Sequence, residues 1–482
     1  MPEDLKSKTF KGVYWNFIDT FATYGFQFII HIILARILLP SEYGLVGLVG
    51  IFISISYAFV DGGFGQALIQ KKNASDTDYS TVFYFSLGIS VLLYFILFFT
   101  AGSIGTFFNE PTLKNLIRVV ALQLVISSFI IIQRTRFICD IDFKTQAIIS
   151  FISNSIGGAC GLVLAFQDFG VWSLVWMKLA EQLSFAAIIW LKSKWRPIWV
   201  FSYTSFKELF GFGSKLLVGS LIETIYKELN KFVIGKFYSP AQLGYYTRAE
   251  HFGNLPAVTL NSIVAKVSYP ALVKLRDDEF QLKSAYVRII RSTMFLSFLC
   301  MFSIAAVAHA LIIVLIGDQW IPAIPYLQII CLYGALYPLH AINLNLLKVF
   351  GRSDLVLKLE VIKRVAAIPV VIAGIYWGIV WLLIGTVIHS IFSYIINSYW
   401  SGKLIHYGIG KQISDILPSF ILTFSISGIV YFVGKGLNTT PVIVLFIQFL
   451  LLISLVFSIS EMIKQQDYLY MKNLFLSIIR KK

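Results

Sequence analysis

The residues of this chain best equipped for chemistry sit inside its apolar runs. Lys227, Lys231 and Arg248 stand deep in hydrophobic segments, with Lys266 in the same segment as Arg248 and Arg364 in another. A charge at such a position is costly and by default faces an interior or a water-filled cavity, which makes it a functional-site candidate. Cations there suit the recognition of an anion in a low-dielectric cavity, where a diphosphate or an acidic sugar exchanges water for Lys and Arg donors. A drug cation would require carboxylates instead. The excess of cations over carboxylates at membrane depth, most of it in the second half, therefore favours an anionic substrate.

These residues fall into stripes. Trp15, Asp19, Thr23, Gln27 and His31 recur every four residues, on one slowly drifting helical face. Two hundred residues later stand Lys215, Gly219, Glu223, Lys227 and Lys231. Glu223 and Lys227 form an i,i+4 pair in the favourable order, which leaves Lys231, and Lys227 in part, as positive potential. Arg248, Glu250 and His251 lie near the outer end of the next helix, ahead of a kinking Pro256, and Glu360, Lys363 and Arg364 form a further cluster. Lys227, Lys231, Arg248, Lys266 and Arg364 are thus the expected substrate contacts. Asp19, Gln27, His31, Arg36, Asp61, Glu223 and Glu360 are the candidates for cavity lining, gating or ion coupling. Plainer readings compete with these. Glu223 with Lys227 and Glu360 with Arg364 would also serve as structural ion pairs, and Lys215 and Lys363 would also snorkel to the interface. Asp61, in Asp61-Gly62-Gly63-Phe64-Gly65, would serve equally as a packing or kinking feature, and Arg118 and Lys178 read as outer-interface anchors.

The elements that position these side chains are membrane helices. The chain has 482 residues, 57% hydrophobic and only 13% charged, and its mean hydropathy is +0.77. Those values exclude a soluble globular enzyme, a disordered tail protein and a secreted disulfide scaffold. A crossing helix needs about 20 mostly apolar residues. Runs of that size are expected at 13–37, 43–68, 79–107, 113–133, 146–165 and 171–191, then at 206–237, 242–272, 286–316, 322–347, 355–375 and 378–399, and finally at 413–433 and 441–463. The fold class is all-α, a polytopic membrane protein of about fourteen transmembrane helices. A β-barrel is excluded because its strands would alternate instead of running continuously apolar. The first run is too long for a signal-peptide core, contains Asp19 and lacks a small-residue cleavage site, so it is expected to be retained.

Lys and Arg alternate between the loops. The N-terminal side carries most of them, whereas the opposite side has Arg36, Lys114, Lys236 and Lys435. The positive-inside rule therefore places both termini in the cytoplasm. The net charge of +15 is spread out by topology and is not gathered into a patch, so nucleic-acid binding is not expected. The connecting loops are too short for a soluble domain, and no phosphate-binding loop is present. The six His and four Cys show no metal-binding or C-x-x-C spacing, and no catalytic constellation emerges. Neither a metal nor a cofactor is expected.

The chain also matches itself at an offset of 200 residues. His31 meets Lys231, Ala35-Arg36 meets Gly235-Lys236, Pro40 meets Pro240 and Gly44 meets Gly244. This predicts two six-helix lobes, 1–200 and 201–400, with two additional helices and a basic tail over 401–482. Repeats with an even number of spans share one topology and are related by an axis along the membrane normal, with substrate bound between them.

The run Ala35-Arg36-Ile37-Leu38-Leu39-Pro40-Ser41-Glu42-Tyr43-Gly44, followed by Asp61-Gly62-Gly63-Phe64-Gly65-Gln66-Ala67-Leu68, resembles the opening of Wzx-type polysaccharide flippases. These lipopolysaccharide, O-antigen and colanic-acid exporters belong to the multidrug/oligosaccharidyl-lipid/polysaccharide superfamily. The resemblance implies alternating-access transfer of an undecaprenyl-diphosphate-linked oligosaccharide across a bacterial inner membrane. It further implies a coupling ion, H+ or Na+, contact with membrane lipids, and partnership with polysaccharide polymerase or assembly proteins. Arg36, Pro40, Gly44 and Asp61 match the motif and read as structural or gating. Two other functions stay open: a cation-coupled drug or metabolite antiporter of the same superfamily, with Asp19 or Asp61 as its carboxylate, and a membrane glycosyltransferase or polymerase, which the short outer loops disfavour.

Overall fold

The computed structural model describes residues 23 and 25–480, without the side chains of 262–263, 265–267 and 474–480. Asp19 lies outside the described residues. Among those described, the chain is helical with no strand. The helices are α1 (Gly25–Ile37), α2 (Pro40–Asp61), α3 (Phe64–Gln70), α4 (Asp76–Phe107), α5 (Thr112–Val120), α6 (Leu122–Cys139), α7 (Phe143–Phe166), α8 (Val171–Lys192), α9 (Tyr203–Phe237) and α10 (Pro240–Lys274). They continue with α11 (Glu279–Ile316), α12 (Ala323–Gly334), α13 (Tyr337–Val349), α14 (Ser353–Ala366), α15 (Ile368–Trp377), α16 (Ile379–Leu404), α17 (Ile409–Gly436), α18 (Pro441–Met462) and α19 (Gln466–Arg480).

Eleven helical segments among the described residues are long and apolar enough to cross a membrane. They coincide with eleven of the fourteen expected spans. The other three correspond to α1, described from residue 25; to α10, which stays helical through Pro256 and Pro270 but is more polar; and to α14 and α15, divided at Ala367. The expected division of the long apolar run at Trp377-Gly378 is present, with Gly378 at φ +107 between α15 and α16. Large apolar side chains stand on the surface, Phe99 at 74% exposure and Phe432 at 70%. In water such a surface would be an aggregation hazard, whereas lipid is its natural solvent.

The residues group into two compact units, Met1–Gly244 and Tyr245–Lys482. In the first, α9 packs on α2 and α3. The α2–α3 break is made by Gly62 (φ +56) and Gly63 (φ +71), and the Asp61 carboxylate accepts the Gly63 N–H at 3.3 Å. Asp61 thereby takes part in the turn that separates α2 from α3. A Cβ on Gly63 would stand 2.7 Å from the Gly213 carbonyl oxygen of α9, so the bare backbone permits this close approach. Helices α7 and α8 approach through Gly157 and Gly161, which lie against Met177 and Glu181. Small residues four apart are the usual device for close helix packing in lipid, where hydrophobic drive between helices is lacking. A Ser75–Asp78 capping box starts α4: Ser75 Oγ accepts the Asp78 N–H at 3.2 Å and Asp78 accepts the Ser75 N–H at 2.9 Å.

In the second unit, α17 and α18 pack on α11. Phe298 and Phe302 of α11 stack at 5.5 Å, Phe420 and Phe424 of α17 at 5.6 Å, and the two pairs meet edge to face. Two of the additional C-terminal helices are therefore integral to this unit.

Candidate functional site: a polar cavity in the first unit

Two adjoining cavities, of about 230 and about 420 Å³, share Tyr57 of α2 and Gln182 of α8. The smaller is completed by Ser127 and Arg134 of α6, Ser150 and Asn154 of α7, and Lys178 and Glu181 of α8. The larger is completed by Ile53 and Ser54 of α2 and by Thr224, Lys227 and Glu228 of α9. Helical periodicity explains the convergence. Lys178, Glu181 and Gln182 fall at i, i+3 and i+4, as do Thr224, Lys227 and Glu228, and Ser150 and Asn154 are four apart, so each set shares one helix face. The Gly157 contact with Glu181 holds α7 close enough for its polar face to line the same space.

Carboxylates neutralise most of the cations. Lys178 lies 3.0 Å from Glu181, Lys227 2.7 Å from Glu223, and Lys231 3.1 Å from Glu228. This corrects two expectations. Lys231 is not left as open positive potential, because Glu228, three residues before it, shares its helix face. Lys178 is not an interface anchor but part of the cavity wall. Arg134 makes no ion pair among the described residues and stands exposed on the wall of the smaller cavity. By sequence alone Arg134 reads as one of the N-terminal-side loop cations; its position five residues before the end of α6 is the available signal that it belongs to the helix. Asn154, Glu181, Gln182 and Glu228 were also missed. Polar residues at i, i+3 and i+4 inside α7 and α8 could have revealed the first three.

Gln27 of α1 hydrogen-bonds Asn154, whose Nδ2 donates to the Ser150 carbonyl at 2.7 Å. The first-helix stripe thus reaches this cavity through Gln27. His31 is half-buried farther along α1, and Arg36 is exposed at its end.

The remaining candidates belong to the second unit or its start. Arg248 is half-buried on α10, where Tyr246 donates to Glu250 at 3.1 Å. The Lys266 side chain is not described. On α14, Glu360 pairs with buried Lys363 and lies 3.7 Å from Arg364. The ion-pair reading of this cluster is the one realised: the Lys363 side chain is buried and paired with Glu360, while its backbone carbonyl oxygen lies 2.7 Å from His389 Nε2. The structure therefore brings Lys227, Lys231, Glu223 and Gln27 to the first-unit cavity or its edge, and Glu360 and Arg364 to one another.

Chemically, the cavity offers amides from Gln182 and Asn154, hydroxyls from Ser127, Ser150, Thr224 and Tyr57, and the cations Arg134, Lys178 and Lys227 against the carboxylates Glu181 and Glu228, which leaves one positive charge in excess on its wall. Such a lining matches a hydroxyl-rich, anionic molecule. Among known proteins, the family described as polysaccharide biosynthesis protein matches residues 33–325. The chain belongs to this family. Its curated relatives include the teichuronic acid biosynthesis protein TuaB of Bacillus subtilis (strain 168), 24% identical over 91% of this chain and 91% of that protein. The lipopolysaccharide biosynthesis protein WzxC of Escherichia coli (strain K12) is 25% identical over 88% of this chain and 86% of that protein. In structure, the chain is similar to the lipid II flippase MurJ in its inward closed conformation, with a TM-score of 0.74, 13% identity, and coverage of 94% of this chain and 100% of that one. An inward-facing multidrug resistance MATE family transporter of the MOP superfamily superposes with a TM-score of 0.64 at 17% identity, covering 82% of this chain and 98% of that one. The family member described here has the all-helical fold of these transporters.

Proposed function

We propose that this protein is an alternating-access flippase that carries a lipid-diphosphate-linked oligosaccharide across a bacterial inner membrane for the synthesis of a surface polysaccharide. The observation that carries this reading is the cavity lined by amide and hydroxyl groups, with Arg134, Lys178 and Lys227 against Glu181 and Glu228, Arg134 being the cation without a carboxylate partner among the described residues, in a member of the polysaccharide biosynthesis family. Sugars offer many hydroxyls and the diphosphate concentrated negative charge, so a wall of neutral donors with a few cations suits both.

In this reading both termini are cytoplasmic, as the positive-inside bias indicates. The two six-helix repeats, 1–200 and 201–400, rock about substrate bound between them, and Arg248, Lys266 and Arg364 add contacts from the second repeat. A coupling ion, H+ or Na+, drives the cycle, and a polymerase or assembly partner receives the translocated glycan. Gln27, His31, Arg36, Asp61 and Glu223 shape or gate the cavity.

The deciding experiment reconstitutes the full chain in liposomes with a fluorescent undecaprenyl-diphosphate oligosaccharide and follows its movement between leaflets. Transfer that is lost in the Lys227→Ala/Lys231→Ala double variant supports the assignment. Undiminished transfer by a well-expressed double variant overturns the role of these lysines. Transport of an organic cation with no glycolipid movement would replace the flippase reading with that of an antiporter.

A further inference from the structure

The second unit contains a cavity of about 550 Å³, sharing no lining residue with the cavities described above, where α11, α17 and α19 converge. Its wall carries four cations, Lys283, Arg288 and Arg291 of α11 and Lys411 of α17, against two carboxylates, Asp415 and Asp467. Spacing on α11 explains the wall: 284, 287, 288 and 291 follow the i, i+3, i+4, i+7 pattern, so one face of the helix delivers both arginines.

The carboxylates are already engaged. Asp467 accepts from Arg291 Nε at 2.9 Å, from Ser419 Oγ at 2.7 Å and from Gln465 Nε2 at 3.2 Å. Asp415 accepts the Tyr407 hydroxyl at 2.6 Å. The Tyr407 phenol is held well above its ordinary pKa, first by burial and then by this bond, so it remains a donor at neutral pH. One carboxylate thus neutralises Arg291, and the other is occupied by a neutral group.

Lys283, Arg288 and Lys411 make no ion pair among the described residues. Lys283 donates to the His406 carbonyl at 2.7 Å, and Arg288 lies over the Tyr470 ring at 5.3 Å. Neutral partners hold both side chains at the cavity without cancelling their charge. The cavity opens at the end of membrane-crossing α11 and α17, with Phe280 at 83% exposure and Tyr470 at 38% on its rim. An aromatic rim with a basic interior is the pattern of a membrane–water interface that attracts phosphate.

We infer that this cavity between α11, α17 and α19 is a binding site for a phosphate group, held by Lys283, Arg288 and Lys411. The interfacial position makes an anionic phospholipid headgroup the natural source and free phosphate the other. Binding there ties α19 to α11 and α17 and stabilises the second unit. The site is separate from the first-unit cavity, so it stands whether or not the flippase reading holds.

The test measures the thermal midpoint of the purified full-length protein in detergent with phosphatidylglycerol, phosphatidylcholine or inorganic phosphate. Native mass spectrometry counts retained lipid in parallel. Phosphatidylglycerol should raise the midpoint and be retained, with phosphatidylcholine doing neither, and Arg288→Gln/Lys411→Gln should abolish both effects. If inorganic phosphate gives the same shift as the lipid, and the double variant loses it, the site holds with free phosphate as its source. Equal shifts from the two lipids, or a full response in the double variant, would overturn the inference. Should that variant fold poorly, Lys283→Gln alone should weaken lipid retention, and undiminished retention would count equally against the site.

Discussion

Gly44 of α2 lies directly against the backbone carbonyl of Pro240, and two hundred residues later Gly244 of α10 lies against the carbonyl of Pro40. Each glycine serves the other's proline, so the contact is reciprocal, as a contact between duplicated segments would be. At both places a Cβ would overlap the carbonyl oxygen, and only a hydrogen fits. Each proline opens its helix, α2 or α10, where its missing N–H costs nothing.

Gly44→Ala and Gly244→Ala should therefore each destabilise the protein. The obstructing atoms are backbone, which has little room to yield, so the cost should reach the upper part of the about 1–3 kcal/mol typical of overpacking. Gly88→Ala is the control, since a Cβ there meets nothing within 4 Å, and removing a helix glycine should be neutral or favourable. Thermal midpoints in detergent would check the order. A Gly44→Ala protein as stable as the Gly88→Ala control would refute the close contact.

Lys71 joins the start of α4 to the start of α9, at 3.0 Å from Asp78 and 2.8 Å from Glu208. These bonds, led by the one to Glu208, raise its pKa above the ordinary lysine value. A raised lysine pKa means stabilisation that is complete below about pH 10.4 and fades as pH rises through the folded-state value. Lys71→Met should cost about 1 kcal/mol or less, because the pair is partly exposed. The difference in midpoint between wild type and variant should be constant near neutrality and shrink in strong base. A gap that widened with pH would mean the ion pairs are not its cause.

Topology has its own check. In a background with Cys139, Cys160, Cys300 and Cys331 replaced, single cysteines at Lys71 and Lys435 should react with an impermeant thiol reagent from opposite faces of the membrane. Lys71 should be labelled from the cytoplasm. Labelling of both positions from the outside would discard the proposed orientation.

Apolar length made most helices legible: Trp377-Gly378 interrupts a run too long for one helix and is a break in the structure, whereas the break at Asp61-Gly62-Gly63 falls inside 43–68, a run short enough to read as one span. Charge position along a helix was legible too, as the Glu223–Lys227 and Glu360–Arg364 pairs attest. What a stripe cannot reveal is which helices its face meets. Gln182 and Asn154 became cavity residues because Gly157 lets α7 and α8 touch, a long-range consequence of a small side chain. The charge of Lys231 is balanced for a more local reason: Glu228 lies three residues away on the same face, an i,i+3 partner outside the four-residue stripe. Arg134 was obscured by its nearness to a helix end, where position alone does not separate a topological anchor from a cavity cation.

The balance of charge in the first-unit cavity leads to a test of which cation acts. Lys178 and Glu181 satisfy one another, whereas Arg134, on the same wall, has no carboxylate partner among the described residues. Neutralising both members of the pair as Lys178→Gln/Glu181→Gln should therefore disturb the protein less than Lys178→Gln alone, which strands the Glu181 carboxylate in a substrate-facing wall. Arg134→Gln should behave differently, leaving the thermal midpoint nearly unchanged while cutting glycolipid transfer by about tenfold or more, on the scale of one charge-assisted hydrogen bond of about 1.5–3 kcal/mol. Arg134→Lys, retaining charge but losing the planar fork, should recover only part of that loss. Transfer rates in liposomes, normalised to reconstituted protein, would read out all four variants. Wild-type transfer by Arg134→Gln would remove Arg134 from the substrate path and leave the paired lysines as the cations to examine next.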